Sequence, residues 1–147
     1  MNVAHRFAPH RFECRVYYED TDAAGIVYYA NYLKFAERAR TEILRAAGIV
    51  QHDVARRDGV AFAVKSVAVE YVAPAKLDDA LVVETTVVQM GGASATADQI
   101  VRRAGDGSAL AEIRVRLACL RLSDGRPVRF PADVAAALAR HIIVTKT

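Results

Sequence analysis

The stretch between Tyr32 and Ala47 limits what this chain can fold into, because a helix built from it is apolar around half its circumference. At 100° per residue, Tyr32, Leu33, Phe35, Ala36, Ala39, Ile43, Leu44, Ala46 and Ala47 share one half of the wheel. Lys34, Glu37, Arg38, Thr41, Glu42 and Arg45 share the other half. A helix lying on a surface needs a narrower stripe than this. So wide an arc implies a helix wrapped by a sheet, with Gly48 ending it as a left-handed cap. Arg40 falls inside the apolar arc, where it is expected to snorkel to the rim or pair with an acid.

The rest of the chain supplies the sheet. Phe12, Cys14, Val16 and Tyr18 alternate with Glu13, Arg15 and Tyr17, the period of a half-buried strand, which puts Tyr18 on the core side. His52 to Gly59 is polar and without clear period, and reads as a connection with one helical turn. Ala61 to Val72 is rich in β-branched residues and stops at Pro74. Leu81 to Gln89 passes through Gly91-Gly92 into Ser94 to Arg103, and Gly105-Asp106-Gly107 turns the chain into Ala109 to Leu122. Such punctuation makes hairpins, so these strands are antiparallel. Pro131 opens a short alanine-rich helix to about His141. The order predicts an α+β roll, a five-stranded antiparallel sheet wrapped around one long central helix. Such a sheet leaves an edge and a face to cover, and pairing with a copy of itself is expected.

Composition sets outer bounds. A chain of 147 residues makes one domain, 1–147, able to bury roughly 70% of its unfolded surface. The start, MNVAHRFAPHRFE, has no apolar core before its charges, and no apolar run is long enough for a membrane span. No membrane insertion is expected, and the chain is placed in the cytoplasm. A net charge of +3 does not mark a nucleic-acid binder. Arg102, Arg103, Arg114, Arg116, Arg121, Arg126 and Arg129 nonetheless face only Asp106, Glu112 and Asp124 in their stretch. They are either a phosphate-binding group or a solvated sheet face. Cys14 and Cys119 suit reduced, buried thiols better than a disulfide or a metal site.

The chemistry concentrates just ahead of the long helix. Asp20 and Asp22 sit among small residues, Gly25 lacks the Cβ that would obstruct a tight turn, and a helix N-terminus is expected at once. A carboxylate to attack a carbonyl, with unpaired helix N–H groups to hold the oxyanion, makes a coherent device. A calcium loop starting at Asp20 would need a side-chain ligand at its fifth position and a bidentate Glu at its twelfth, where this chain has Ala24 and Asn31. Aspartyl-phosphate chemistry would need a parallel sheet. Asp20 is expected to cap a turn; for Asp22 these considerations leave capping and catalysis both open.

Asp20-Thr21-Asp22-Ala23-Ala24-Gly25-Ile26-Val27-Tyr28-Tyr29-Ala30-Asn31-Tyr32, followed by Glu37-Arg38-Ala39-Arg40-Thr41-Glu42, resembles the signature of the 4-hydroxybenzoyl-CoA thioesterase and YbgC-like branch of the hotdog-fold acyl-CoA thioesterases. The likeness continues through Val69-Glu70-Tyr71-Val72-Ala73-Pro74-Ala75 and Leu77-Asp78-Asp79, and covers nearly the whole chain. It implies a hotdog fold, with Asp22 as the catalytic carboxylate and Tyr18 matching a tyrosine of the YbgC-like active site. It implies no cofactor and no metal. Where many YbgC-like members have histidine, this chain has Tyr29, as the 4-hydroxybenzoyl-CoA enzymes have tyrosine. A phenol with a pKa near about 10 is no general base at neutral pH. The burden then falls on Asp22, the Tyr29 backbone N–H and the helix N-terminus. The turn that supplies basic residues for CoA phosphates in the 4-hydroxybenzoyl-CoA enzyme is Gly91-Gly92-Ala93 here, so the arginines from Arg102 to Arg129 become the candidates.

The resemblance thus implies hydrolysis of a short-chain or aromatic acyl-CoA to free acid and CoA. It also implies a homodimer or homotetramer with the acyl pocket at the subunit interface. Two alternatives remain at this level. A hotdog dehydratase acting on hydroxyacyl thioesters would need a catalytic histidine, and His5, His10, His52 and His141 all lie outside the motif. A non-catalytic acyl-thioester or partner-binding protein is the other, since YbgC-like proteins are associated with the Tol–Pal envelope system.

Overall fold

The computed structural model describes residues 8–143, so His5 and the first residues of the leading segment lie outside the described residues. Strands β1 (His10–Arg15), β2 (Val60–Tyr71), β3 (Ala80–Met90), β4 (Ser94–Arg103) and β5 (Ala109–Arg121) form one sheet in the order β1-β3-β4-β5-β2. Every pairing is antiparallel. The two glycine-rich turns join β3 to β4 and β4 to β5, as their composition requires. The loop after β2 carries the chain across the sheet instead, which leaves β2 at one edge and β1 at the other.

Helix α1 (Asn31–Ala46) packs its apolar arc on the sheet. Tyr32, Phe35, Ala36, Ala39, Ile43 and Leu44 are buried, as the wheel predicts, while Ala46 at its end is exposed. Phe35, 1% exposed, contributes about 1.5–3 kcal/mol by its burial. The helix stops where Gly48 takes φ +79. There Ile49 N–H bonds Leu44 O and Gly48 N–H bonds Arg45 O, each at 2.9 Å, and Ile49 folds back beside Leu44 in the core. The next segment corrects an expectation: α2 (Gln51–Asp58) is a full eight-residue helix rather than a connection with one turn. Its polar sequence hides a single anchor, Val54, which is 1% exposed and packs with Ile49, Val60 and Phe130. After β5 the chain ends its described part in α3 (Ala132–Ala139), opened by Pro131.

Two apolar clusters fill the interior. One gathers Phe35, Ala39, Val83, Val101 and Leu110 around the start of α1; the other gathers Leu44, Val60, Phe130 and Val134 around its end. Between them Gln99 is completely buried. Its Nε2 donates to Ala36 O at 2.9 Å and to Thr85 Oγ1 at 3.0 Å, and its Oε1 accepts from Arg40 Nη1 at 2.8 Å. Arg40, expected to snorkel to the rim or pair with an acid, is partly buried and pairs with a buried amide.

Edge strand β2 departs from the alternation of a covered strand. Val64 to Ala68 are exposed one after another, Val64 by 50% and Val67 by 44%. A long edge with bare valines and no proline is a template for another strand. Among the described residues no helix is long and apolar enough to cross a membrane.

Candidate active site

The chain between β1 and α1 folds into a small, tightly tied lobe. A single 3-10 turn, Tyr18–Asp20, follows β1. The Asp20 carboxylate, 8% exposed, accepts the Tyr17 N–H at 2.8 Å, and its carbonyl accepts from Tyr28 N–H at 3.0 Å and Asn31 Nδ2 at 2.9 Å. Asp20 thus caps the turn and staples it to the start of α1. Thr21 then pairs with Val27, Asp22 N–H bonds Ile26 O at 2.9 Å, and Gly25 N–H bonds Asp22 O at 3.0 Å. This hairpin closes only because Gly25 adopts φ +79.

Asp22 stands on the shoulder of that hairpin with its side chain exposed. Its Oδ1 accepts the Ala24 N–H at 2.9 Å, and Oδ2 has no protein donor among the described residues. One oxygen orients the group while the other is open to a substrate.

The loop after β2 buttresses the lobe. Val27 N–H bonds Ala75 O at 2.9 Å, Leu77 N–H bonds Gly25 O at 3.2 Å, and Ala75 N–H donates to the buried Tyr32 hydroxyl at 2.9 Å. Tyr71, at the end of β2, donates its hydroxyl to Tyr29 O at 3.0 Å. The rings of Tyr28 and Tyr29 lie 4.7 Å apart, and Tyr71 stands edge-on to Tyr29 and to Tyr32. The Tyr29 hydroxyl beside it raises the Tyr28 pKa, and burial raises that of Tyr32, so both stay neutral phenols. Among the described residues the Tyr29 N–H donates to no protein acceptor, which leaves it free for a ligand.

Two expectations need correction, and the arginines fit the solvated-face reading of the two open to them. The helix does not begin at once after the acids; α1 starts at Asn31, and the hairpin intervenes. Tyr18 is 82% exposed, not on the core side. The strand ends at Arg15, but the burial alternation runs on through Val16 and Tyr17 until the 3-10 turn swings Tyr18 outward. Asp22, Tyr29 and Tyr18 therefore share one lobe, but no hydrogen bond joins their side chains among the described residues. Lastly, the arginines do not converge. Arg102 pairs with Glu84, Arg103 with Asp79 and Asp106, Arg114 with Asp98, and Arg121 with Asp124. Arg129 instead lies over the glycine turn: its Cζ is 3.5 Å from where a Cβ on Gly92 would stand. The turn without a basic residue of its own is thus given one from after β5.

Tyr71 is a partner of the lobe that the motif alone does not reveal. Tyr71 stood in the motif without a role, and only the alternation of β2, which sets it with Val69 on one face, hinted at it. A cavity of about 200 Å³ lies elsewhere, between the second half of α1, the sheet and α3. Phe62 and Val64 of β2 line it, whereas the Asp22 lobe is tied to Tyr71 at the other end of that strand. The eight residues of strand from Val64 to Tyr71 span roughly 23 Å. The space within one chain is therefore far from that chain's own carboxylate.

The sequence pattern of the Thioesterase-like superfamily matches residues 16–138. The chain belongs to this family. As a thioesterase-family enzyme it is 46% identical to the acyl-CoA thioesterase YbgC of Haemophilus influenzae, over 86% of this chain and 91% of that one. A crystal structure of a probable thioesterase from Bartonella henselae, 34% identical, superposes with a TM-score of 0.79 over 84% of this chain and 100% of that one. A 1,4-dihydroxy-2-naphthoyl-CoA thioesterase from Synechocystis, 23% identical, shares the fold with a TM-score of 0.83 over 89% of this chain and 96% of that one. The thioesterase resemblance read from the DTDAAG stretch and the hotdog architecture it implied both hold.

Proposed function

We propose that this thioesterase-family enzyme hydrolyses a short-chain or aromatic acyl-CoA to the free acid and CoA, with Asp22 as its catalytic carboxylate. The observation that carries the reading is the Asp22 carboxylate itself: held by one oxygen on a tied hairpin, exposed, with its other oxygen unbound among the described residues. It either attacks the thioester carbon, forming an anhydride that water opens, or takes a proton from a water that attacks. In both routes the carbonyl oxygen gains negative charge, the C–S bond breaks, and the CoA thiolate collects a proton. The free Tyr29 N–H receives the developing charge, a contribution of about 2.7–4 kcal/mol for one such donor. Tyr18 is assigned to the wall beside Asp22, with its exposed ring against the substrate.

A second copy completes the site. The bare middle of β2 supports antiparallel pairing of two copies about a two-fold axis. That operation sets the Phe62–Val64 end of one copy against the Ala68–Tyr71 end of the other. The Asp22 lobe of each chain then serves the cavity of its partner. For the CoA phosphates, Arg129 is the favoured cation because it lies over Gly92 in the glycine turn, while Arg102, Arg103, Arg114 and Arg121 are already ion-paired.

The test is a panel of acyl-CoA esters assayed for thiol release, run beside light scattering. Hydrolysis by a dimer or tetramer supports the reading. A stable, active monomer near 16.0 kDa removes the shared site, and Asp22→Asn protein with undiminished turnover removes the mechanism.

A further inference from the structure

We infer that the cavity beneath α1 selects acyl groups that end in a carboxylate, and that Arg40 reads it; this rests on the thioesterase reading and names its substrate class. Most of the cavity wall would suit any short hydrocarbon, with Ile43, Leu44, Phe62, Val87, Phe130 and Leu138 facing the space. Arg40 is the exception. It is more than half buried inside the apolar arc of α1, and it lines the same space. Its Nη1 is pinned by Gln99 Oε1 at 2.8 Å, and Gln99 is itself fixed by Ala36 and Thr85.

The remaining donors are what matter. Among the described residues the Nε–Nη2 edge has no acceptor, and no carboxylate forms an ion pair with Arg40. Glu37 also lines the cavity and favours the charged guanidinium from a distance, against the burial that disfavours it. A partly buried cation with a free two-donor edge is stabilised by a negative group brought to it. That edge matches a carboxylate bound through both oxygens. Glu37 repels a doubly charged phosphate more than a singly charged carboxylate, so the anion is placed at the end of the acyl group and not on CoA. The substrate class is a CoA monothioester of a short dicarboxylic acid. Its hydrolysis is the reaction already written, with the distal carboxylate unchanged.

Binding tests this apart from turnover. In Asp22→Asn protein, calorimetry is expected to show malonyl-CoA or succinyl-CoA bound at least about tenfold tighter than isovaleryl-CoA or 4-methylvaleryl-CoA, esters of matched size that end in methyl groups. Adding Arg40→Met is expected to abolish that preference while the methyl-ended esters stay within about threefold. Arg40→Lys keeps a charge and a donor for Gln99 but lacks the fork; it is expected to lower the preference at least about threefold, and it serves if the methionine protein does not fold. Equal binding of both ester types overturns the inference. So does a loss in the Arg40 variants that is equal for both types, which makes Arg40 a strut for Gln99. Preference without hydrolysis of any ester would sink the thioesterase reading and leave the Arg40 assignment standing; hydrolysis without preference would do the reverse.

Discussion

The Tyr71 hydroxyl donates to the carbonyl oxygen of Tyr29 at 3.0 Å, so the edge strand of the sheet holds the backbone of the lobe by that oxygen. The N–H of the same residue is the proposed oxyanion donor, and its direction depends on how firmly the residue is held. Tyr71→Phe removes the bond and keeps the ring against Tyr29 and Tyr32. One lost hydrogen bond of about 1 kcal/mol corresponds to kcat lower by roughly fivefold to tenfold. KM is expected to change little, since the bond touches no substrate. Steady-state kinetics on the purified variant checks this, and an unchanged kcat would mean that the hairpin alone positions the donor.

Substituting Tyr29 itself separates its backbone from its phenol. Tyr29→Phe keeps the N–H and is expected to lower kcat/KM by less than about fivefold, whereas Tyr29→Pro deletes the donor and is expected to lower it by more than about 100-fold. Because no protein acceptor uses that N–H among the described residues, the proline variant loses no native backbone bond there. Circular dichroism establishes that it folds. A phenylalanine variant reduced by about 100-fold would assign the chemistry to the hydroxyl instead.

His10 ties stability to pH. Its Nδ1 is buried without a partner among the described residues, its ring stands edge-on to His141 at 5.3 Å, and His141 Nδ1 lies 2.8 Å from Ala8 O. Burial lowers the His10 pKa, the His141 charge lowers it further, and Glu42 opposes them. The unfolded chain therefore takes up a proton that the folded chain resists. This contribution is complete above the unfolded value of about 6.5 and is lost as pH falls from there through the folded value. Guanidinium midpoints measured from about pH 8 down to about pH 5 are expected to hold steady and then decline, and His10→Leu is expected to flatten the decline.

The features legible in the sequence are those written locally. The apolar arc of α1, the Gly48 cap and the two glycine turns each need only neighbouring residues, and the antiparallel roll follows from them. Tyr18 was misplaced because a three-residue 3-10 turn leaves no periodic signal to interrupt the strand pattern. Spacing leaves the arginines open because their partners depend on register: Arg102 meets Glu84 and Arg114 meets Asp98 across strands, and spacing alone does not set which residues oppose one another. Tyr71 meets Tyr29 across 42 residues of chain and Arg40 meets Gln99 across 59, distances at which pattern carries no information. The second half of α1 was read as core, and its polar layer is what the pattern could not show.

Asp20 and Asp22 differ by one intervening residue, and the structure gives their carboxylates opposite surroundings. Asp20 is 8% exposed and its carboxylate accepts the Tyr17 N–H, while Asp22 is exposed, with one oxygen on Ala24 N–H and the other unbound among the described residues. Asparagine in either place keeps an acceptor oxygen and removes the negative charge. A cap survives that change in large part, so Asp20→Asn is expected to lower stability by about 1 kcal/mol and turnover by only a few-fold. A nucleophile or base does not survive it. Asp22→Asn is expected to lower acyl-CoA hydrolysis by at least about 100-fold, with the oxyanion donor sustaining a residual rate. Its melting temperature should stay close to that of the parent, because the Ala24 bond remains and the site is exposed. Substrate affinity should hold or tighten, since the anion facing the thioester carbonyl is gone. The decisive comparison is hydrolysis and thermal unfolding measured on both variants side by side. If Asp20→Asn loses turnover at full stability while Asp22→Asn keeps it, the catalytic carboxylate has been assigned to the wrong acid.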